Sequence, residues 1–193
     1  CRNPIGVGEL GTIEGDIAVY GLDVLDQNSI DRFVSDLDGR AIDVLINNAG
    51  VYGPKPVKAA DVTMNDWTPV MQTNAMAPLF IARALLPNVE KGARKLIVNI
   101  SSIMASIEQG SAPSEYIYRS SKTALNMVMA CYAQEIADTG VAVVNFHPGW
   151  VQTDMGGPNA TLTPTESITH LRASIEKLGF DDTGKFLNYD GSP

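Results

Sequence analysis

Tyr118 and Lys122, four residues apart in the segment YRSSK, form the pattern with the clearest chemical potential in this sequence. In a helix this spacing places a phenol and an ammonium group on one face, about one turn apart. A free phenol has a pKa of about 10 and is a poor acid–base group at neutral pH, but a neighbouring cation lowers that pKa. The pair therefore predicts acid–base chemistry by Tyr118, although Tyr-x-x-x-Lys also occurs by chance in many helices.

Three further motifs carry polar groups that could contact a substrate or a flat ligand. Ser101 and Ser102 end the run KLIVNISS, where a hydroxyl can bind a carbonyl oxygen; two serines there are also typical of a cap or turn. The NNAG sequence after DVLI is either a plain turn or a ledge of small residues for a flat ligand. Asn74 interrupts an apolar helical stretch, and because asparagine is a mediocre helix former, we expect its amide to bond a specific partner.

The elements that would position these groups alternate between short apolar runs and longer amphipathic stretches. Four runs are rich in Val and Ile and stop at Asn, Gly, Ser or Pro, which predicts buried strands at Ile17–Val24, Ile42–Gly50, Lys95–Ser102 and Val141–Gly149. The other stretches predict helices at Asn28–Gly39, Asp66–Leu86, Glu115–Asp138 and Pro164–Gly179. We expect Asn28 or Ser29 to cap the first of these helices.

Strand–helix alternation with strands this apolar predicts an α/β fold: a doubly wound parallel sheet of Rossmann type, covered by helices on both faces in three α/β/α layers. Ligands of such sheets bind beyond the carboxyl ends of the strands. The unusual residues fall at those predicted ends, namely Asp23, Asn47–Gly50, Ser101 with Ser102, and His147–Trp150.

Length, composition and net charge limit which other classes of function are possible. The 193 residues are predicted to form a single domain, residues 1–193. A net charge of −8 disfavours nucleic acid and anionic membrane surfaces, because both attract Lys and Arg, and no apolar run approaches the roughly 18 residues of a membrane span. The two cysteines form no motif and His147 and His170 are far apart, so we expect no metal site and a reducing, cytoplasmic location.

The segment GVGELG, Gly6 to Gly11, matches the G-x-G-x-x-G spacing of a phosphate-binding loop. Such a loop must follow a strand and open a helix, so that the pyrophosphate meets backbone N–H groups at the helix N-terminus. The preceding CRNPI is too short and contains proline, and the following TIEGD leads directly into an apolar run. The segment is therefore interpreted as a glycine-rich turn.

Taken together, NNAG, a helical Asn, NISS, Tyr-x-x-x-Lys and HPGWVQTDM, in this order and spacing, resemble the short-chain dehydrogenase/reductase family. The resemblance covers essentially the whole chain. The phrases CRNP, LINNAGV, YRSSKTALN, HPGWVQTDMGG and GKFLNYDG resemble the branch that contains Sniffer-type carbonyl reductases and C-factor-like proteins.

The resemblance implies a catalytic tetrad of Asn74, Ser102, Tyr118 and Lys122. Tyr118 would donate a proton to a carbonyl oxygen held by Ser102, while a nicotinamide delivers a hydride to the carbon. Lys122 would lower the pKa of Tyr118 and bind the nicotinamide ribose, and Asn74 would support a water-linked proton path. The implied function is NADP(H)-dependent reduction of a small aldehyde or ketone to an alcohol.

The resemblance also implies cofactor-binding residues, which besides Tyr118 and Lys122 are Arg2, Asp23, Val24, Asn48, Ala49, Gly50, Pro148, Gly149, Val151 and Thr153. Arg2 matches the position whose guanidinium would bind the phosphate that distinguishes NADP from NAD. Its alternative is a solvated terminal side chain. The substrate pocket is expected between Ile103 and Glu115, with Trp150, Met155 and the segment through Leu178.

The family's first strand–helix–strand unit, with its T-G-x-x-x-G-x-G loop, is absent from these 193 residues, so the sequence is expected to be N-terminally incomplete. This departure keeps an alternative open: a non-catalytic nucleotide-binding or signalling protein on the same fold. Relatives usually form dimers or tetramers, so the resemblance also implies a homodimer or homotetramer.

Overall fold

Four short strands, paired in parallel in the order in which they occur along the chain, form the sheet of the computed structural model, which describes residues 1–5, 8, 12–55, 58–109 and 115–193. The strands are β1 (Val44–Asn47), β2 (Leu96–Ile100), β3 (Ala142–His147) and β4 (Phe186–Asn188). The helices are α1 (Gln27–Asp36), α2 (Met64–Met71), α3 (Ala77–Glu90), α4 (Tyr116–Glu135) and α5 (Pro164–Lys177). A π-helical turn, Gln72–Met76, joins α2 to α3.

Alternate residues of the central strands pack into two separate cores, one on each face of the sheet. Ile97 of β2 and Val143 of β3 pack with Leu125 and Met129 of α4. The residues next to them along the strands face the opposite side of the sheet. There, Val98 of β2 and other buried apolar residues pack with Leu171 of α5. Because both faces are covered, the strands read as continuous apolar runs, and the predicted three-layer α/β/α fold of Rossmann type is confirmed.

The predicted strand Ile17–Val24 is wrong, because none of these residues is in a strand and Ile17 is exposed. Among the described residues, only Cys1 pairs with this segment in the manner of a parallel strand: its ammonium donates to Tyr20 O at 3.0 Å and its carbonyl accepts from Leu22 N at 2.9 Å. A β-prone sequence becomes a strand only where a neighbour supplies a full row of backbone partners.

The other helices and strands agree with the prediction to within a few residues, with two corrections. Asp26, rather than Asn28 or Ser29, caps α1, because its carboxylate accepts from the backbone N–H of Asn28 at 3.0 Å. The short strand β4 was not predicted. The segment GVGELG, interpreted as a turn, lies outside the described residues except for Gly8.

The described part of the chain was searched for membrane-spanning helices and for clusters of metal-binding side chains. No helix there is long and apolar enough to cross a membrane. The same residues contain no group of three or more His, Cys, Asp or Glu side chains that could hold a metal ion.

Candidate active site

Three asparagines align the carboxyl ends of β1, β2 and β3. Asn47, Asn99 and Asn145 lie opposite one another in the strand register. The amide of Asn47 donates to Asn99 Oδ1 at 2.8 Å, and the amide of Asn99 donates to Asn145 Oδ1 at 3.1 Å. This buried ladder fixes the edge of the sheet from which the candidate site is built.

Tyr118 and Lys122 lie on the buried face of α4, above the end of β2. Tyr118 is only 7% exposed, and the Lys122 Nζ atom is 5.9 Å from the centroid of its ring. The same Nζ atom donates a hydrogen bond of 2.8 Å to the carbonyl of Ile100, the last residue of β2. The predicted pairing of these two side chains on one helical face is therefore observed.

The pKa of Tyr118 differs in direction from the sequence-based expectation. Burial raises it above its ordinary value, hydrogen bonding with Ser102 lowers it, and the charge of Glu115 raises it further. The charge of Lys122 is not among the causes that shift it, and burial lowers the pKa of Lys122 itself to about 8, so that Lys122 is still mostly an ammonium group at pH 7. In this structure the phenol of Tyr118 is the favoured form at pH 7.

Ser102, not Ser101, is the serine that interacts with Tyr118. Its hydroxyl also accepts from the backbone N–H of Met104 at 3.2 Å and caps the short 3₁₀ helix Ile103–Ala105, which fixes its position. The buried hydroxyl of Ser101 has no hydrogen-bond partner among the described residues. The geometry thus favours Ser102 as the residue that would face a carbonyl oxygen.

Asn74 lies in the π turn, is fully buried and bonds specific partners, as its position in an apolar helix predicts. Its amide donates to Val51 O at 2.8 Å and to Ser121 Oγ at 3.0 Å, while its Oδ1 accepts from Val51 N at 2.8 Å. A Cβ atom built on Gly50 would lie 3.4 Å from Asn74 Oδ1 and 3.6 Å from Lys122 Nζ. Gly50 therefore lies close to both of these polar atoms. π turns of this kind are frequent at functional sites.

Two exposed or half-buried loops leave the same edge of the sheet and contain most of the predicted cofactor-binding residues. Asn48, Ala49 and Gly50 follow β1, whereas the loop after β3 contains Pro148, Gly149, Val151 and Thr153. Gly149 has a φ of +84°, and a Cβ atom there would collide with Leu162. A side chain is therefore excluded at this point of the loop.

The remaining predicted cofactor residues lie in the segment before α1. Arg2 is exposed, and Asp23 and Val24 are half-buried. The Asp23 carboxylate accepts from the backbone N–H of Leu25 at 3.0 Å, so it stabilises the turn that leads into α1. In the predicted substrate pocket, Trp150 is half-exposed and its indole donates to Gly156 O at 2.8 Å, while residues 110–114 lie outside the described residues.

One aromatic contact in the site was not predicted. The ring of Tyr52 stacks on that of Tyr118, with centroids 4.3 Å apart and planes inclined by 9°. The hydroxyl of Tyr52 donates to the carboxylate of Glu115, which directly precedes α4. The only sequence feature that could have indicated this contact was an aromatic residue two positions after NNAG.

A parallel sheet with polar side chains gathered at its carboxyl edge defines a Rossmann-type ligand-binding domain, and the comparison with known proteins gives its family. The family model for short chain dehydrogenases matches residues 6–162. The chain belongs to the short-chain dehydrogenase/reductase family and is an oxidoreductase of that family.

Relatives confirm the predicted branch. The carbonyl reductase Sniffer of D. melanogaster is 32% identical, with a TM-score of 0.92 over 100% of this chain and 85% of that one. An NADPH-bound carbonyl reductase from chicken fatty liver is also 32% identical, with a TM-score of 0.89 over 100% and 84% of the two chains. C-signal of Myxococcus xanthus is 38% identical over 151 residues, which cover 78% of this chain and 90% of that protein.

Proposed function

We propose that this protein is an NADPH-dependent carbonyl reductase that converts a small aldehyde or ketone to the alcohol. The observation that carries the proposal is the buried convergence of Tyr118, Ser102 and Lys122 at the carboxyl edge of the sheet. The fold alone does not require these three polar groups to meet, whereas proton transfer to a carbonyl oxygen needs an acid, a second hydrogen-bond donor and a nearby cation.

The residues present fit a nicotinamide cofactor. Lys122 uses one of its three N–H donors on Ile100, so two remain for ribose hydroxyls. Gly50 leaves the space beside Lys122 free of a side chain. We assign the loop of Pro148, Gly149, Val151 and Thr153 to the carboxamide, Asn48 to Gly50 to the ribose, and Asp23 and Val24 to the adenine.

NADP(H) is the proposed form of the cofactor. The exposed guanidinium of Arg2 suits the additional phosphate of NADP, because arginine binds phosphate through two parallel charge-assisted hydrogen bonds. The carbonyl reductase from chicken fatty liver, which is 32% identical, is described as NADPH-bound. Exchange of Arg2 for glutamate would therefore weaken NADPH binding more than NADH binding.

Two hydroxyls would polarise the carbonyl group in the reaction. Ser102 and Tyr118 donate hydrogen bonds to the carbonyl oxygen, and when bound, NADPH supplies the hydride to the carbon. As negative charge develops on the oxygen, Tyr118 transfers its proton to it, which completes the alcohol. The ammonium form of Lys122 and the hydroxyl of Ser102 stabilise the phenolate that remains, until Lys122 gives it a proton and regains one from water along a path that Asn74 supports.

The test is NADPH oxidation, followed by absorbance, with a panel of small apolar aldehydes and ketones. We expect Tyr118→Phe to lower kcat/KM by about 10²- to 10⁴-fold, as expected for loss of a general acid, without loss of fold. Tyr116→Phe, at an exposed tyrosine two residues earlier, is the matched control. A folded wild-type protein that binds NADPH but reduces no carbonyl compound would contradict the proposal.

The non-catalytic alternative is kept because one relative carries the name C-signal. A protein that only binds nucleotide or signals should retain its biological effect when Tyr118 becomes phenylalanine, whereas the enzyme should lose it. The homodimer or homotetramer and the cytoplasmic location stay predictions, which light scattering and cell fractionation can test.

A further inference from the structure

We propose that Tyr52 is a positioning residue for Tyr118: its ring, fixed by Glu115 and Lys55, orients the phenol of Tyr118 toward the substrate oxygen. This inference rests on the proposed reductase function. It concerns the loop after β1, which none of the sequence motifs had connected with the acid.

The contact between the two rings is close and nearly parallel. The centroids of Tyr52 and Tyr118 are 4.3 Å apart, and the planes differ by 9°. Stacked rings at this separation restrict rotation about the side-chain bonds of both residues. The backbone of Tyr118 is already fixed within α4, so the orientation of its ring is the main remaining freedom, and Tyr52 restricts it.

The hydroxyl end of Tyr52 is held by a carboxylate. It donates a hydrogen bond to Glu115, and the Met104 sulfur lies 3.9 Å from the same oxygen. Arg119 Nε is 3.8 Å from the second oxygen of Glu115, an ion pair without a hydrogen bond. Glu115 adopts a left-handed backbone conformation with a φ of 69°, which residues other than glycine seldom adopt and which is typically retained at functional sites.

The second face of the Tyr52 ring is covered by Lys55. Its Nζ atom lies 3.9 Å from the ring centroid, and because Tyr118 occupies one face, the ammonium must occupy the other. The same atom donates to Met155 O at 3.1 Å, in the loop after β3. Tyr52 is thus held from two sides and at its hydroxyl, as a rigid support for an acid would require.

The support explains how a residue outside the reaction can affect its rate. The phenol of Tyr118 must meet the carbonyl oxygen beside Ser102, and a displacement of 1 Å can cost about 100-fold in rate. Without the stacked ring, Tyr118 would spend less time in that orientation. The loss should therefore lie mainly in kcat, whereas NADPH binding should change less, because the stacked ring acts on the orientation of Tyr118.

The experiment compares Tyr52→Leu with Tyr52→Phe, which keeps the stacked ring but loses the hydroxyl. We expect Tyr52→Leu to lower kcat by about tenfold or more while the Kd for NADPH changes less than about threefold. Tyr52→Phe should lose less kcat than Tyr52→Leu, because the stack on Tyr118 and the contact with Lys55 remain when the bond to Glu115 is lost, and Tyr116→Leu serves as a matched control on α4. An unchanged kcat in Tyr52→Leu, or an equal loss in both Tyr52 variants, would overturn the proposal.

A second measurement does not depend on turnover. In NMR spectra of protein with labelled tyrosine, the ring signals of Tyr118, assigned by their loss in Tyr118→Phe, should carry an upfield ring-current shift from Tyr52. Tyr52→Leu should remove this shift and Tyr52→Phe should retain it. A wild-type protein that shows the shift but reduces no carbonyl compound would contradict the proposed function and leave the stacking of Tyr52 on Tyr118 supported. Absence of the shift would contradict the positioning role of Tyr52.

Discussion

The Nζ atom of Lys122 donates a 2.8 Å hydrogen bond to the carbonyl oxygen of Ile100, which ties the middle of α4 to the last residue of β2. The acceptor is a backbone carbonyl group at the carboxyl end of β2. The bond also fixes a cation that is only 5% exposed. The ammonium group of Lys122 is therefore fixed in position but poorly hydrated. For this reason we expect the stability of the protein to depend on pH.

Lys122→Met should change how the stability of the protein depends on pH. Burial lowers the pKa of Lys122 from 10.5 to about 8, so between these values the unfolded chain binds more protons than the folded one. Stability of the wild type relative to Lys122→Met should therefore rise from pH 8 to pH 10.5, by up to about 3 kcal/mol. Chemical denaturation of both proteins at several pH values measures this difference, and a constant difference would contradict the burial argument.

Ser102→Ala should impair reduction far more than Ser101→Ala. Ser102 interacts with the Tyr118 hydroxyl, whereas the hydroxyl of Ser101 has no hydrogen-bond partner among the described residues. Loss of one donor to a developing oxyanion costs about 10²- to 10³-fold in kcat. Steady-state kinetics of the two variants give the answer, and equal losses would mean that the choice between the serines is wrong.

Much of this site could be predicted because its chemistry depends on local spacing. The interval between Tyr118 and Lys122 specifies one helical face, and Ser102 directly follows an apolar strand. The direction of the Tyr118 pKa was not predictable in the same way, because it depends on burial. Tyr52 was missed because its stacking on Tyr118 joins two segments that are far apart in the sequence.

The strands, like the site, could be predicted where they depend on local sequence and not where they depend on distant residues. β2 and β3 were predicted because a strand buried on both faces reads as a continuous apolar run. β4 contains only three residues and exists because the edge of β3 offers partners to Phe186 and Leu187. Ile17–Val24 has the composition of a strand, but among the described residues only its two hydrogen bonds with Cys1 have the pattern of a parallel strand pair.

Asn99→Ala should destabilise the protein through the asparagine ladder. The change would leave the Asn47 amide with only its longer bond of 3.4 Å to Pro78 O and the buried Oδ1 of Asn145 without its donor, which costs about 1–3 kcal/mol for one buried polar group. Asn126→Ala is the control, because the buried Oδ1 of Asn126 has no partner among the described residues. Urea denaturation should show a much smaller loss for the control, and similar losses would argue against the ladder.

Glu115→Gln should lower the pKa of Tyr118. Burial and the negative charge of Glu115 raise the pKa of Tyr118, and hydrogen bonding with Ser102 lowers it. Removing the charge therefore lowers the pKa of Tyr118. An NMR pH titration of the Tyr118 ring signals measures this pKa directly, whereas the alkaline limb of kcat/KM would report the loss of the Lys122 charge near pH 8.

The control for this shift is Glu135→Gln, which removes a carboxylate at the far end of α4. Among the described residues, the charged and titratable groups around Tyr118 include those of Tyr52, Glu115, Arg119 and Lys122. Of these, only the charge of Glu115 is changed in the test variant. An unchanged pKa of Tyr118 in Glu115→Gln, or an equal fall in Glu135→Gln, would show that this carboxylate does not raise the pKa of the acid.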